Sequence, residues 1–467
     1  MKAFTIREIC QIIEGQLVQG SLDLVINYIP TYKEIRRNKK NVLIFLKYRK
    51  QFDWNSLKAR LPCAIVIDKN EDYYQTMKDL TIIKVANVNQ AYWTFVDYYR
   101  SLFDIPVVAV TGTCGKTTTK EMITHILKNT KHVQSTYSSA NSRLAHLHYL
   151  IGIDETTEAA VFETAVGMPG DVTQACRFFK PTIGIITNIG ACHLTGCKTI
   201  EGYIKAKGEL VTSLENHGVL ILNGDDEKTK TLSLDHFHGR ILYFGIKNRA
   251  DFKATNIEYG NGGMKFTLHL KNRSYPVFVG GYGDHQVYNA LAALAATTEI
   301  GINIEDAAKR LQSFKNIVRH LEVSTGYNGA TIIDDTWNFN TTSLEAGMKV
   351  LNHVANGGQR IALFSDMASL GDYEDELHKE AGSIIHKYGV DTIITIGNLA
   401  KEMAHYAASL GLNSKIYSFT NYDEIYKLLQ KISNKNSTIY IKSFGNNLPM
   451  IELAAFFKKK VVNRGES

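Results

Sequence analysis

VVAVTGTCGKTTTKEM, Val107 to Met122, is the stretch from which the fold is read. An apolar strand runs into a turn with glycines at 112 and 115, then a lysine, three threonines and a helical pattern. Glycines let a tight turn aim successive backbone N–H groups at one point. The helix that follows adds its positive dipole end at the same place. A lysine at the mouth of such a turn neutralises phosphate charge, and the hydroxyl after it suits Mg²⁺. The common spacing G-x-x-x-x-G-K-[ST] would put one more glycine where this chain has Val110, so the loop is a shortened form, G-T-C-G-K-T. Gly112, Thr113, Cys114, Gly115, Lys116, Thr117 and Thr118 are therefore expected to hold the phosphates of ATP, with Thr117 on Mg²⁺. A glycine turn that binds nothing explains less, because strand, glycine, lysine, threonine and helix occur in order. Cys114 is read as a tolerated small residue, not as a nucleophile.

Outward from the loop, residues 105–315 alternate apolar runs with helical patterns, the mark of βαβ units and a mostly parallel sheet. The runs include PVVAV (Pro106–Val110), AAVFE (Ala159–Glu163) and TIGIITN (Thr182–Asn188), and helices are expected from Lys116, Glu201 and His285. An antiparallel insertion is expected over Asp251–Val279, turning at GNGG (Gly260–Gly263). Residues 316–467 repeat the alternation with ATIID (Ala330–Asp334), RIALF (Arg360–Phe364), TIITI (Thr392–Ile396) and TIYIK (Thr438–Lys442), which reads as a second, doubly wound, Rossmann-like α/β domain. Residues 1–104 mix short helices with strands such as NVLIFL (Asn41–Leu46) and CAIVID (Cys63–Asp68), and EIRRNKK before the first of these reads as a charged, solvated turn.

A chain of 467 residues is long enough for about three domains, each with its own core. Hydrophobic residues at 44% and charged residues at 21% are ordinary for a globular protein, and the net charge of +7 is compatible with anionic, phosphate-rich substrates. Cys10, Cys63, Cys114, Cys176, Cys192 and Cys197 form no CxxC pair, so reduced thiols are expected. MKAFTIREICQIIEG reads as an amphipathic helix and not as a signal peptide, and no apolar run reaches the roughly 18 residues of a membrane span. A cytoplasmic monomer without nucleic-acid partners is expected.

Glu163 ends a buried strand and opens ETAVGMPGD. A carboxylate at a strand's C-terminal end, near a phosphate loop, suits Mg²⁺, although a turn cap would use the same residue. With the phosphate loop and its continuation TTTKEM, these segments resemble the Mur ligase family, most closely the branch that adds D-alanyl-D-alanine to UDP-N-acetylmuramoyl-tripeptide. The resemblance runs through about three quarters of the chain and implies three domains: a small α/β acceptor domain (1–104), a central P-loop ATPase domain with a parallel sheet (105–315) and a C-terminal Rossmann-like domain (316–467). It implies that Glu163 is a metal ligand, followed by Gly170 and Asp171. It implies that His193 in NIGACH, after Asn188, holds a second Mg²⁺, and that Lys207 in YIKAKGEL is carbamylated and becomes an anionic ligand. Without the resemblance Lys207 is a surface lysine. Asn289 would lie against adenine, Arg319 in NIVRHLE would reach the γ-phosphate, and Asp335 in IIDDTWNFN would approach the ribose or the water around the phosphates.

The chain departs from the family pattern at several of these places. Ser139 and Ser142 stand for asparagines beside Asn141, with Ala145 and Leu147 for the following Gly and Pro. Gln286 replaces the first Asn of the adenine helix, whose His285 is kept. Trp337 replaces Tyr and Thr341 replaces Pro, while Asn338 and Asn340 keep their places. Asp366, Met367, Leu370, Gly371 and His378 match, but Ser365 and Ser369 do not. Lys442 is kept, while Ser443 and Phe444 replace Gly and Ser. The family's uridine-binding motifs are missing from the first hundred residues, where only NVLIFLK and a QFD remain.

The resulting expectation is an ATP- and Mg²⁺-dependent ligase that joins a small-molecule carboxylate to an amine such as a dipeptide through an acyl phosphate. A paralogous amide ligase with another acid and another amine is the rival that the missing uridine motifs favour. A nucleotide-binding protein without ligation is the third reading, and Lys116, Thr117, Glu163, His193 and Lys207 together speak against it.

Overall fold

The computed structural model describes residues 1–30, 40–47, 57–69, 77–141, 149–192, 194–214 and 218–459. Most of EIRRNKK, the QFD remnant, Ser142, Ala145, Leu147 and His193 lie outside the described residues. Contacts divide the chain into two units, one of residues 1–109, 128–164 and 173–182, the other of residues 110–127, 165–172 and 183–467.

In the first unit, helix α1 (Ile6–Ile13) begins at a capping box, Thr5 with Glu8, and buries Ile6, Ile9 and Ile13 along one face. It is the amphipathic helix expected at the start of the sequence. Strands β1 (Gln16–Gln19), β2 (Leu43–Phe45), β3 (Cys63–Ile67) and β4 (Leu80–Lys84) form a sheet in the order β1-β4-β3-β2, with β1 antiparallel and the rest parallel. Helix α2 (Val88–Ser101) packs Phe95, Val96 and Tyr99 into the same core as α1. Strand β5 (Val107–Thr111) passes from this unit into the second. Also in the first unit, β6 (Val133–Ser135) pairs in parallel with β7 (Ala159–Glu163), a fully buried run that ends on Glu163, and helix α4 (Asp171–Phe179), which lies in this unit from residue 173 on, brings Phe179 onto Phe162.

The second unit carries the phosphate-loop helix α3 (Lys116–Leu127). Strands β8 (Ile183–Ile186), β9 (Val219–Asn223) and β10 (Arg240–Gly245) are parallel, and α5 (Ile200–Ser213) crosses between the first two. Both crossing strands are nearly continuous apolar runs, as expected where helices cover both faces of a sheet. The expected insertion is present: β11 (Phe252–Gly260), β12 (Gly263–Leu270) and β13 (Arg273–Gly280) are antiparallel neighbours, turning at 260–263. Helix α6 (Asp284–Glu299) is buried on nearly every side, which its alanines permit, and α7 (Ile304–Leu311) follows.

The C-terminal sheet contains β14 (Glu322–Thr325), β15 (Thr331–Asp335), β16 (Gln359–Ser365), β17 (Thr392–Ile396), β18 (Lys415–Phe419) and β19 (Ser437–Lys442), in the order β14-β15-β19-β16-β17-β18. All neighbours are parallel except β14 with β15. Helices α8 (Thr341–Ala355), α9 (Glu374–Tyr388), α10 (Asn398–Ser409), α11 (Tyr422–Ile432) and α12 (Leu448–Lys458) connect or follow these strands. The order of strands reverses around β19, so the carboxyl ends of β15, β19 and β16 lie side by side. Open α/β sheets place ligands at such ends, and here they carry Asp335, Lys442 and Ser365. No helix among the described residues is long and apolar enough to cross a membrane.

Candidate active site

The loop between β5 and α3 is held from behind by the segment that follows β8. Thr113 N donates to the Asn188 carbonyl at 2.9 Å, and Cys114 N donates to Asn188 Oδ1 at 3.0 Å. Asn188 Nδ2 and Thr187 Oγ1 both donate to the Cys114 carbonyl, at 3.0 and 2.6 Å. Gly190 N donates to Thr113 Oγ1 at 2.8 Å, and the Thr113 hydroxyl lies 3.3 Å from that of Tyr203. The two glycines are required here. Gly112 has φ +147°, and an added Cβ would stand 1.9 Å from Thr187 Oγ1; Gly115 has φ +82°, and its Cβ would stand 2.3 Å from Asn289 Oδ1. Both conformations lie where side chains are strained.

The first backbone bond inside α3 runs from Thr119 N to the Gly115 carbonyl, at 2.8 Å. The amides of Lys116, Thr117 and Thr118 precede it, and a helix offers its first N–H groups no acceptor of its own. They are aimed out of the helix's positive end, the arrangement that takes phosphate oxygens. Lys116 Nζ folds over the loop and donates to the Thr113 carbonyl at 3.0 Å, and the Thr117 side chain is buried at the same end.

Lys207 departs from its solvent-exposed reading by composition. It is 1% exposed, and its Nζ donates to the Gly112 carbonyl at 2.8 Å and to Thr111 Oγ1 at 3.3 Å. Thr199 caps α5 through a bond from Gly202 N at 2.9 Å, and one turn separates Tyr203 from Lys207 on the same face, with Nζ 5.0 Å over the Tyr203 ring. In this arrangement Lys207 is a donor to the loop. A carbamate would keep one N–H on Nζ, so an anionic Lys207 could hold only one of these two donor bonds.

Cys114 Sγ lies 3.4 Å from Asn340 Oδ1. Burial holds the thiol above its ordinary range, against the smaller pull of Asn340 and Lys116, so it stays protonated, in keeping with a residue that is not a nucleophile. Asn289 hydrogen-bonds Thr119 Oγ1 at 3.3 Å beneath Gly115. The geometry therefore places Asn289 under the phosphate loop.

Two expected residues stand at the carboxyl ends of the C-terminal strands or beside them. Asp335 is paired with Lys442, and Tyr440 OH donates to it at 3.0 Å; Lys442 Nζ also donates to the Asn338 carbonyl at 2.8 Å. Arg319 has φ +65°, donates from Nε to Thr336 Oγ1 at 3.0 Å and from a guanidinium N–H₂ to the Thr336 and Gly445 carbonyls, and lies 5.0 Å over the Trp337 ring. Trp337, at the position where the family has Tyr, thus provides a flat surface for the fork.

Glu163, in the first unit, is 1% exposed and accepts from Asn141 Nδ2 at 2.7 Å, while its amide donates to Thr136 Oγ1 at 3.0 Å. His193 lies outside the described residues. Among the described residues no three His, Cys, Asp or Glu side chains gather as a metal cage. Mg²⁺ does not need one, since it keeps waters and takes one or two carboxylates plus substrate phosphates. The Thr117 hydroxyl fits that requirement in the second unit, and Glu163 offers a buried carboxylate in the first.

Sequence reasoning missed Thr187 and Tyr203. Tyr203 could have been found from its spacing of four from Lys207; nothing marks Thr187 except its place at a strand's end.

Comparison with known proteins identifies the relatives of this chain. A family profile described as the Mur ligase middle domain matches residues 110–297, and one described as the Mur ligase, glutamate ligase domain matches residues 319–445. The UDP-N-acetylmuramoyl-tripeptide–D-alanyl-D-alanine ligase of Buchnera aphidicola subsp. Baizongia pistaciae is 31% identical over 77% of this chain and 77% of its own. A crystal structure of MurF from Acinetobacter baumannii superposes with a TM-score of 0.85 at 24% identity, covering 98% of this chain and 100% of that one. MurF ligase from Thermotoga maritima, solved in complex with ADP, has a TM-score of 0.78 at 21% identity, over 92% of this chain and 97% of that one.

Proposed function

The chain belongs to the Mur ligase family, and from that premise we propose that it joins D-alanyl-D-alanine to UDP-N-acetylmuramoyl-tripeptide, with ATP activating the acceptor's carboxylate. The observation that carries the reading is the loop of residues 112–118, fixed on its back by Thr187 and Asn188 and presenting helix amides, Lys116 and Thr117 on its front.

The chemistry follows from these parts. The N-terminal amides of α3 and the Lys116 ammonium bind the β- and γ-phosphates of ATP. The acceptor carboxylate attacks the γ-phosphorus, the bond to the β-γ bridging oxygen breaks, and ADP leaves with that electron pair. The acyl phosphate then meets the free amine of the dipeptide: the C–N bond forms, the C–O bond to phosphate breaks, and the amine loses a proton. Catalysis of this kind is mostly positioning and stabilisation of charge. The fork of Arg319 suits charge spreading over the transferring phosphoryl group. Mg²⁺, when bound, neutralises phosphate charge; Thr117 is the loop residue that would hold it, with Glu163, His193 and Lys207 the ligands that the family resemblance implies.

Phosphate release with ATP, Mg²⁺, UDP-N-acetylmuramoyl-tripeptide and D-alanyl-D-alanine tests the reading. Release that needs both substrates, and a Lys116→Ala variant that is folded but at least about 10²-fold slower, are the expected results. A Lys116→Ala enzyme as fast as the parent removes the assignment of the loop. Release only with a different acid and amine transfers the function to a paralogous ligase, the outcome that the missing uridine motifs favour.

A further inference from the structure

Asn340 is 1% exposed, and its Nδ2 is buried with no hydrogen-bond partner. Its Oδ1 is fully used: it accepts from Ser343 N at 2.9 Å as the N-cap of α8, and it lies 3.4 Å from Cys114 Sγ. The cap fixes which end of the amide is the oxygen, since only an oxygen can accept from Ser343 N. The uncommitted end is therefore an N–H₂ donor, and the amide group stands at the phosphate loop. A second contact brings the same helix end to that place. An added Cβ at Gly190, the residue whose amide holds Thr113, would meet Thr342 Oγ1 at 2.4 Å. The first backbone bond inside α8 runs from Leu344 N to the Asn340 carbonyl, at 2.9 Å, so the Thr341 and Thr342 amides precede it and the positive end of this fifteen-residue helix faces the loop.

A buried donor without a partner is costly, and proteins keep one where a ligand completes it. The ligand chemistry is fixed by the surroundings: a helix N-terminus, an amide donor and the Lys116 loop all favour an anion with oxygen acceptors. We propose that Asn340 Nδ2, with the amino end of α8, binds a terminal phosphoryl oxygen of the nucleotide on the loop, and so makes the C-terminal domain a direct contributor to the phosphoryl-transfer site. The inference rests on the nucleotide reading of residues 112–118. Its partners are separate from those of Arg319, whose fork donates to Thr336 and Gly445.

The test compares Asn340→Ser and Asn340→Asp with the parent. Serine and aspartate both cap helices well, so both variants keep the fold while removing the N–H₂ donor, and aspartate adds a negative charge where the phosphoryl oxygen would sit. Affinities are measured calorimetrically for ADP and for a β,γ-imido analogue of ATP, with Mg²⁺. The expected result is analogue binding weakened roughly tenfold or more, further for aspartate than for serine, with ADP binding changed less than about twofold. Equal losses for ADP and the analogue would mean that Asn340 only shapes the loop, and no loss for either would mean that its donor faces no ligand. Each overturns the proposal. Lys116→Ala, assayed alongside, separates this failure from that of the nucleotide reading: if it leaves analogue binding intact, the loop itself is misassigned.

Discussion

His285 opens α6 among cations. Burial pushes its imidazole down to about 4, and Lys442, His320 and Lys349 add repulsion that keeps it neutral. Its Nδ1 is buried without a partner. A histidine in an unfolded chain titrates near 6.5, so between about pH 6.5 and pH 4 the unfolded state binds a proton that the folded state refuses. Stability must then fall as pH drops through that window, by on the order of 2–3 kcal/mol at its lower end. Urea unfolding of the parent and of His285→Gln at pH 7.5 and pH 5 checks this: the variant is expected to lose less stability on acidification. Equal losses would place the acid sensitivity elsewhere, among carboxylates common to both proteins. The residues of the phosphate loop were legible in sequence because their chemistry depends on the order of a few neighbours. Lys207 was not, since its burial depends on Thr111 and Gly112, about ninety-five positions away. The commitment of Asp335 to Lys442 and Tyr440 was equally hidden, because it joins two strands that are neighbours only in the folded sheet.

At the scale of elements, α6 decides how α3 is seated. Asn289 reaches Thr119 and fills the space beneath Gly115, which orients one face of α6 toward α3. Ala293, four residues on and fully buried, lies on that face. Ala293→Leu would insert three carbons into a closed contact, and overpacking of this kind costs about 1–3 kcal/mol. The expected readout is a lower urea midpoint with an unchanged m-value, together with weaker nucleotide binding, since any shift of α3 moves its amino end. A variant as stable as the parent would show that the face of α6 has been misjudged. Buried parallel strands such as AAVFE and TIITI were readable because burial on both faces leaves a continuous apolar run. Strand β18, KIYSF, was not singled out: it is an edge strand with Lys415, Tyr417 and Ser418 exposed, so no such run marks it. Strand β1, QLVQ, escaped for the same reason, with no fully buried residue.

For the molecule as a whole, the fold of the first hundred residues and their recognition chemistry separate. The likeness to the Acinetobacter baumannii structure covers 98% of the chain, so the fold extends through a region where the sequence retains almost none of the family's uridine motifs. A fold persists when apolar residues keep their periods, whereas recognition needs particular side chains in particular loops. Here the segments that occupy that ground in the sequence fall largely outside the described residues, and the nucleotide and acceptor halves of the reaction are best tested apart. A ligand that binds only the folded state stabilises it by about 2.7 kcal/mol at a hundred times its Kd. With two contact-defined units, melting need not be a single transition. The imido analogue of ATP with Mg²⁺ is expected to raise the melting of the unit that contains residues 110–127 by several degrees, and Lys116→Ala should remove that rise. UDP-N-acetylmuramoyl-tripeptide is expected to stabilise the parent and Lys116→Ala alike, because its uridine and muramoyl groups do not depend on that lysine. If the acceptor stabilises neither protein while the analogue still protects the parent, the loop is an ATP site serving a different carboxylate, and the missing uridine motifs record a real change of substrate.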